Sequence, residues 1–406
     1  MLSLRLTRGT HPLVLLRRLL VAAASAGVGF LLLCTLGWAL GHPAGSYLRL
    51  LWCLVPLAAT VQFAVAVART DPSTRPRRGL SAVGLGPARL TMLAVVSTAV
   101  ATTLGSAVAL LVFLHLRGDL TGMPFDGDAA DLLSADRPLP MGAALTLLAA
   151  APVLATLAAG FALRPRPTAP VAERSEAGTG AGAGTGTAEA GEAKPRRPDA
   201  FAPSSAPSGL PWGVALTAAG LAVETYASRN GNAGALPLPG RFDSGSAGVL
   251  AGWALTAVGL ALAGPGITHL CGWLLQTLRP GAVRLLAGRT LMSEARRIGR
   301  PLGVLCAVIS GAFAAASLYG PGDERPFGPL TGLGAGLVIG CTAASLLTAA
   351  LESRQARATT TEELVRLGAP AAMLRTAAAV RAATLVAVFV PLTWAVASLA
   401  AVPLTA

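Results

Sequence analysis

Long apolar stretches separated by short polar segments dominate the chain. A hydrocarbon core of about 30 Å requires about 20 consecutive apolar residues in a helix, and stretches of this kind recur throughout the 406 residues. They occupy residues 19–40, 48–68, 90–115, 141–163, 210–227, 247–275, 301–318, 328–351 and 376–402. The pattern predicts an all-α, polytopic transmembrane helix bundle of about nine spans.

Basic residues orient the predicted bundle. Arginine and lysine near span ends stay preferentially on the cytoplasmic side, and most of the 32 basic residues fall in segments 1–18, 69–89, 164–209, 278–300 and 352–381. These segments all share the inner side when the N-terminus is cytoplasmic, which places the C-terminus outside. One outer loop then collects the acidic residues Asp119, Asp126, Asp128, Asp131 and Asp136, next to Arg117 and Arg137.

Composition narrows the class of protein. Charged residues make up 13% of the chain, against about 25% in an average soluble domain. The net charge of +13 does not indicate nucleic acid, because the arginines follow the predicted topology and suit the anionic lipids of the inner leaflet. Lys194 is the only lysine, a bias typical of GC-rich bacterial genomes. We expect a multi-pass protein of the bacterial cytoplasmic membrane, with membrane lipids but no nucleic acid as partners.

The sequence contains no catalytic constellation. The five cysteines lie within apolar spans without metal-ligand spacing, and the four histidines are not spaced to share a metal. A phosphate-binding P-loop requires Gly-Lys followed by Ser or Thr, whereas Lys194 stands between Ala193 and Pro195. We therefore expect no enzyme activity, no cofactor and no metal. The cysteines are Cys34, Cys53, Cys271, Cys306 and Cys341.

One inner loop occurs twice and ends each time on the pattern Val-x-Leu-Gly. The copy at residues 69–89 contains Val83, Leu85 and Gly86, and the copy at residues 352–375 contains Val365, Leu367 and Gly368. The three matching positions share one sequence offset. A repeated loop between repeated spans predicts a repeated docking surface.

The second copy predicts a short helix. Thr360-Thr361-Glu362-Glu363 has the form of a capping box, in which a hydroxyl and a carboxylate three residues later cap backbone N–H groups. We expect a helix from Thr361 to about Leu367, ended by Gly368 and kept from resuming by Pro370.

Both leucines of this helix, Leu364 and Leu367, are expected on one side. Glu362, Glu363 and Arg366 then remain available to a partner. The first copy is a poorer helix by propensity, because it contains several glycines and no glutamate.

The chain divides into two halves around a low-complexity segment. Residues 164–209 are rich in Ala, Gly and Pro and predict a disordered cytoplasmic linker. It separates a first core of four spans, residues 1–163, from a connector pair, residues 210–278, and a second core of three spans, residues 279–406. Basic, partly amphipathic stretches precede the first and the seventh span, as expected of interfacial helices on the inner leaflet.

The sequence from Glu363 to Ala369, followed by Met373-Leu374-Arg375, resembles the inner loop of FtsX-like ABC transporter permeases. In that family the loop joins the second and third helices of a four-helix core and contacts a separate ATPase, and long members carry two cores joined by two helices. The resemblance implies a permease subunit moved by a cytoplasmic ABC-type ATPase, with a lipid-like, peptide or envelope-associated substrate. The implied coupling residues are Glu362, Glu363, Leu364, Arg366, Leu367, Gly368, Val83, Leu85 and Gly86.

This chain departs from the family in two respects. The outer loops at residues 41–47 and 319–327 are short, where relatives usually place a large extracytoplasmic domain. The second core also lacks a fourth helix, because the sequence ends at Ala406.

Two other functions remain open. A proton- or ion-coupled secondary transporter keeps ionisable residues within the bilayer, and Glu224 is the candidate, although it lies near a span end, as do Arg49 and Arg381. A non-transport membrane scaffold is the other alternative. The outer aspartates Asp126, Asp128 and Asp131 could bind a cation, but they lack a calcium-loop pattern.

Overall fold

The computed structural model describes residues 12–41, 46–70, 87–119, 127, 129–130, 133, 135–164, 207–229, 235–236, 245–277, 281–317, 328–368 and 370–405. Helices dominate this part of the chain, and a short antiparallel pair of strands joins α5 to α6. The elements are α1 (Pro12–Gly41), α2 (Ser46–Thr70), α3 (Pro87–Arg117), α4 (Met141–Ala162), α5 (Leu210–Arg229), β1 (Ala235–Leu236), β2 (Gly245–Ser246), α6 (Ala247–Thr277), α7 (Ala282–Ser317), α8 (Pro329–Ala356), α9 (Ala358–Arg366) and α10 (Ala371–Thr405).

Eight of the described helices are long and apolar enough to cross a membrane. They are α1 to α4, α6, α7, α8 and α10, with between 21 and 33 residues in each apolar segment. The sequence-based prediction of a multi-pass helical membrane protein is therefore confirmed.

The predicted fifth span forms a helix, α5, that falls short of the hydropathy of the other eight. Trp212, Glu224 and Tyr226 lower the mean hydropathy of this helix. It nevertheless runs antiparallel along α6, with Leu210 against Gly266 at one end and Glu224 against Gly252 at the other.

In the first half, α1 is the central helix and packs against α2, α3 and α4. Hydroxyl groups join these helices, since Ser25 Oγ donates to the Thr102 carbonyl at 2.8 Å and Ser106 Oγ donates to the Leu148 carbonyl at 3.1 Å. Phe63 and Phe113 are fully buried among them. Lipid solvates every face of an apolar helix about equally well. Hydrogen bonds between helices therefore determine which face of each helix points into the bundle.

In the second half, α7 holds the equivalent central position and packs against α6, α8 and α10. Its contact with α6 is especially close, because a Cβ on Gly264 would overlap the Gly299 carbonyl oxygen. On another face of α7, Ser310 Oγ donates to the Thr393 carbonyl of α10 at 3.1 Å.

Helix α8 connects the two halves. It packs against α2 and α1 as well as α7, and Cys341 lies in one apolar cluster with Val21, Phe63 and Ala155 of the first half. The Cys341 Sγ and Thr60 Oγ1 atoms are 3.7 Å apart. Helix α2 of the first half therefore lies against α8 of the second half.

At the end of the bundle opposite α9, the described residues between α3 and α4 contact one another and the helices. Arg117 Nε lies 3.4 Å from an Asp119 carboxylate oxygen, and Arg117 also donates to the Arg137 carbonyl. Leu133 is buried nearby against the helices. The predicted meeting of acidic and basic residues is confirmed for these residues, whereas Asp126, Asp128 and Asp131 lie outside the described part of the chain.

Two further expectations can be compared with the structure. All five cysteines are buried and free, as predicted. The basic stretch before the seventh predicted span is helical, but it is not a separate interfacial helix, because α7 continues through Pro301. A proline inside a helix removes one backbone hydrogen bond and its ring crowds a preceding carbonyl. Here the close packing of Gly299 and Gly303 on α6 holds both parts of α7 against one neighbour.

Candidate coupling site at one end of the bundle

The second loop copy folds into α9, a nine-residue helix that lies between α8 and α10. The prediction of a short helix here is confirmed. It begins at Ala358 rather than Thr361, because α8 leads into it almost without interruption. Arg357 is the single residue between the two helices, and its backbone keeps helical torsion angles, φ −95° and ψ −5°.

The predicted capping box is wrong. The residue at the N-cap is Arg357, and no side chain caps the helix. Because the preceding chain is already helical, the Thr361 N–H is satisfied by the Arg357 carbonyl at 2.8 Å, and no hydroxyl is needed there.

The end of α9 follows the sequence prediction. Gly368 adopts a positive φ of 90°, a left-handed conformation that glycine takes without steric cost. The Leu367 N–H bonds to the Glu363 carbonyl and the Gly368 N–H to the Val365 carbonyl, each at 3.0 Å. Pro370 follows, and α10 begins directly after it.

Helix α9 presents most of its side chains to solvent. Glu362, Glu363 and Arg366 are exposed, as are two apolar side chains, Leu367 at 84% and Val365 at 50%. The sequence analysis did not include Val365 among the coupling residues, although its place in the repeated Val-x-Leu-Gly pattern was a signal for it. The side chain of Leu364 lies outside the described part of the structure.

The first loop copy cannot be compared with α9. Its predicted coupling residues Val83, Leu85 and Gly86 lie outside the described residues. The ends of the helices that flank it, Thr70 of α2 and Pro87 of α3, are described and lie at the same end of the bundle as α9, given the antiparallel course of the helices.

A cluster of charged side chains joins the base of α9 to two neighbouring helices. Glu294 of α7 forms an ion pair on each side, with Oε1 2.9 Å from Arg357 Nε and Oε2 3.9 Å from Arg381 Nη1 of α10. Arg357 also donates to Ser353, to its carbonyl at 3.0 Å and to its hydroxyl at 3.3 Å. The side chain of Glu294 is only 11% exposed and that of Arg381 17%.

A second ion pair lies beside this cluster. Arg297 Nη2 is 3.8 Å from Glu352 Oε1 and joins α7 to α8. Neither the cluster around Glu294 nor this pair was predicted from the sequence. A signal was present, because Glu294 is the only acidic residue among the arginines of segment 278–300.

Comparison with known proteins does not add to this picture. The chain matches no protein-family model, and no curated protein or solved structure is similar to it. No group of three or more His, Cys, Asp and Glu side chains in the described residues could hold a metal ion. The features of the described residues that bear on function are α9, the charges at its base and the arrangement of the helices.

Proposed function

We propose that this chain is the transmembrane permease subunit of an ABC transporter or a mechanotransmission complex, moved by a separate ATPase that docks on α9. The observation that carries the proposal is the exposure of Leu367 and Val365 on a short helix outside the apolar spans. Exposed apolar side chains on a polar surface commonly mark a protein interaction site.

The charge of α9 favours a protein partner over the membrane surface. Glu362 and Glu363 are exposed beside Leu367, and acidic side chains are repelled by the anionic lipids of a cytoplasmic leaflet. A protein with basic side chains around an apolar pocket would complement this surface, because charge complementarity steers association and apolar anchors supply most of the affinity.

The helix contacts support two FtsX-like cores. The first helix of each half packs against its second and third, α1 against α2 and α3, and α7 against α8 and α10. The second helices meet each other. Within this proposal α1 to α4 form the first core, α5 and α6 the connector, and α7, α8 and α10 the second core.

We include α5 among the membrane spans. Its residues run alongside α6 from Gly266 to Gly252, within the segment of α6 that can cross a membrane, Gly248–Thr277. A helix in such close contact with a span lies at the same depth. Most of the described arginines lie at the α9 end, and this favours a cytoplasmic position for α9 in a bacterial inner membrane.

One observation favours a secondary transporter as the second candidate. Glu224 is completely buried between α5 and α6, and its Oε2 has no hydrogen-bond partner among the described residues. Ionisable side chains inside membrane bundles commonly bind the coupling ion or proton.

Affinity purification of the tagged full-length protein from its own host tests the first function. We expect an ATPase with a P-loop to co-purify with the chain. Replacing Glu362 and Glu363 by Lys together with Leu367 by Asp should reduce its recovery at least about tenfold, because interface anchors each contribute about 2 kcal/mol or more. The matched control is Asp136→Lys, which reverses an exposed charge at the opposite end.

The outcomes separate the two functions. Full recovery of the ATPase with the triple variant would exclude α9 as the docking site, and absence of any ATPase from wild-type preparations would exclude the ABC proposal. Proton-coupled uptake by proteoliposomes that is lost in Glu224→Gln would instead establish the carrier.

A further inference from the structure

The described side chains of α9 from Thr361 onward, and that of Leu367 after it, are exposed. Charged side chains at the base of the helix connect it to α7 and α10. The first end of α9 is Arg357, which binds Glu294 of α7. The second end leads through Pro370 into α10, and Arg381 of that helix faces the same carboxylate.

We propose that Glu294 is a positioning residue that fixes the base of α9 to α7 and α10, so that a displacement of α9 is transmitted to both helices. The inference rests on the proposed function of α9 as the docking helix. One oxygen of the Glu294 carboxylate contacts Arg357 at the start of α9, and the other faces Arg381 of α10. Loss of this carboxylate removes the contact between Arg357 at the start of α9 and helix α7.

Burial makes this contact stronger than an ordinary surface pair. An exposed ion pair is screened by water and salt and contributes little. Glu294 is 11% exposed, and Arg357, which is 27% exposed, is further oriented by its two hydrogen bonds to Ser353. An ion pair that is largely buried is screened by water and salt much less than an exposed one.

The neighbouring pair of Arg297 and Glu352 provides the matched control. Its atoms are 3.8 Å apart and Arg297 is 46% exposed, so it is weaker than the contact of Glu294 with Arg357. It joins α7 to α8 and involves no residue of α9. Removing Glu352 changes the local charge by the same amount without releasing the base of α9.

Hydrogen exchange of the full-length chain in lipid nanodiscs tests the inference. We expect Glu294→Gln to speed exchange of the amides of residues 358–367 about tenfold, because loss of a largely buried ion pair shifts an opening equilibrium by roughly that factor or more. Glu352→Gln should change these rates less than about twofold, as expected of an exposed pair. Exchange within α1 to α4 should remain unchanged in both variants.

A second variant separates positioning from a general loss of stability. Arg357→Gln removes the same ion pair from the other partner. The double variant with Glu294→Gln should speed exchange by less than the product of the two single effects, because residues in contact are not additive. Equal exchange of residues 358–367 in wild type and Glu294→Gln, or full additivity in the double variant, would overturn the inference.

The co-purified ATPase distinguishes this inference from the function on which it rests. Glu294→Gln should bind the ATPase as wild type does, since Glu294 is not on the exposed face of α9. Addition of a nonhydrolysable ATP analogue should alter exchange in residues 371–381 of the wild-type complex and not in this variant. If Glu294→Gln binds the ATPase and still shows the nucleotide-dependent change in exchange of residues 371–381, Glu294 has no role in transmission, although the docking site stands. Loss of docking by the α9 triple variant tests the proposed function alone.

Discussion

Glu224 is the largest polar side chain that the described bundle buries completely. Its Oε1 accepts a hydrogen bond from Trp253 Nε1 at 2.7 Å, and its Oε2 has no partner among the described residues. An ionised carboxylate with one neutral donor in an apolar site costs several kcal/mol of folding free energy. A neutral side chain of the same shape avoids that cost. Replacing Glu224 by glutamine therefore tests whether the bundle needs a carboxylate at this position.

We expect Glu224→Gln to unfold within about 2 °C of wild type when melting of the detergent-solubilised protein is followed by size-exclusion chromatography. The amide oxygen can accept from Trp253 as the carboxylate does. Glu224→Ala should lower the midpoint by several degrees, because it leaves a buried N–H donor unpaired, which costs about 1–3 kcal/mol. A Gln variant as unstable as the Ala variant would show that the bundle requires the carboxylate itself.

The backbone conformation of a single residue could be predicted from the sequence, whereas its contacts with distant residues could not. Gly368 ends α9 with a positive φ of 90° as predicted, because that conformation is a property of the residue itself. The contact of Glu294 with Arg357 and Arg381 was not predicted, since it joins positions far apart in sequence. The lone acid among arginines indicated a partner but could not identify it.

At the scale of elements, the apolar pattern predicted where helices lie more reliably than where they begin. The nine predicted spans all correspond to described helices. Helix α9 began three residues early because α8 leads into it, so Thr360 and Thr361 lie inside the helix and cap nothing. Capping residues favour a helix start only where the chain before them is not helical.

The contact of α6 with α7 depends on glycine. A Cβ on Gly264 would overlap the backbone of Gly299, whereas a Cβ on Gly340 of α8 would meet nothing within 4 Å. We expect Gly264→Leu to lower the melting midpoint and the yield of folded protein, since overpacking costs about 1–3 kcal/mol and more when backbone must move. Gly340→Leu should be neutral or stabilising, because leucine favours a helix by up to about 1 kcal/mol relative to glycine.

The same chromatographic melting assay compares these two variants with wild type. Equal midpoints for Gly264→Leu and Gly340→Leu would mean that α6 and α7 are not in close backbone contact. A lower midpoint for Gly340→Leu alone would place another helix against the exposed face of α8.

At the scale of the whole molecule, the halves predicted from sequence are not independent units. The linker and the repeated loop predicted two cores, but α8 of the predicted second core packs against α2 of the first. Apolar faces of membrane helices resemble one another, so hydropathy alone cannot show which faces meet. The pairing of α2 with α8 emerges only from contacts such as that of Thr60 with Cys341.

A disulfide across this interface tests the pairing. The Oγ1 atom of Thr60 lies 3.7 Å from Cys341 Sγ, which is a suitable starting geometry for a bond between two cysteines on facing helices. We expect the variant Thr60→Cys to form a disulfide with Cys341 under mild oxidation. When a protease site is inserted in the linker and cleaved, the two fragments should migrate together on a denaturing gel without reductant and separate with it.

Two controls make the cross-link specific to the proposed packing. The double variant Thr60→Cys and Cys341→Ser should give separated fragments under all conditions, which excludes bonds to the other four cysteines. Thr98→Cys places a buried thiol on α3, where the native hydroxyl bonds within its own helix to Ala94, and it should not link to α8. Separate fragments from oxidised Thr60→Cys would mean that α2 and α8 do not meet, and the arrangement of two cores around that contact would then be wrong.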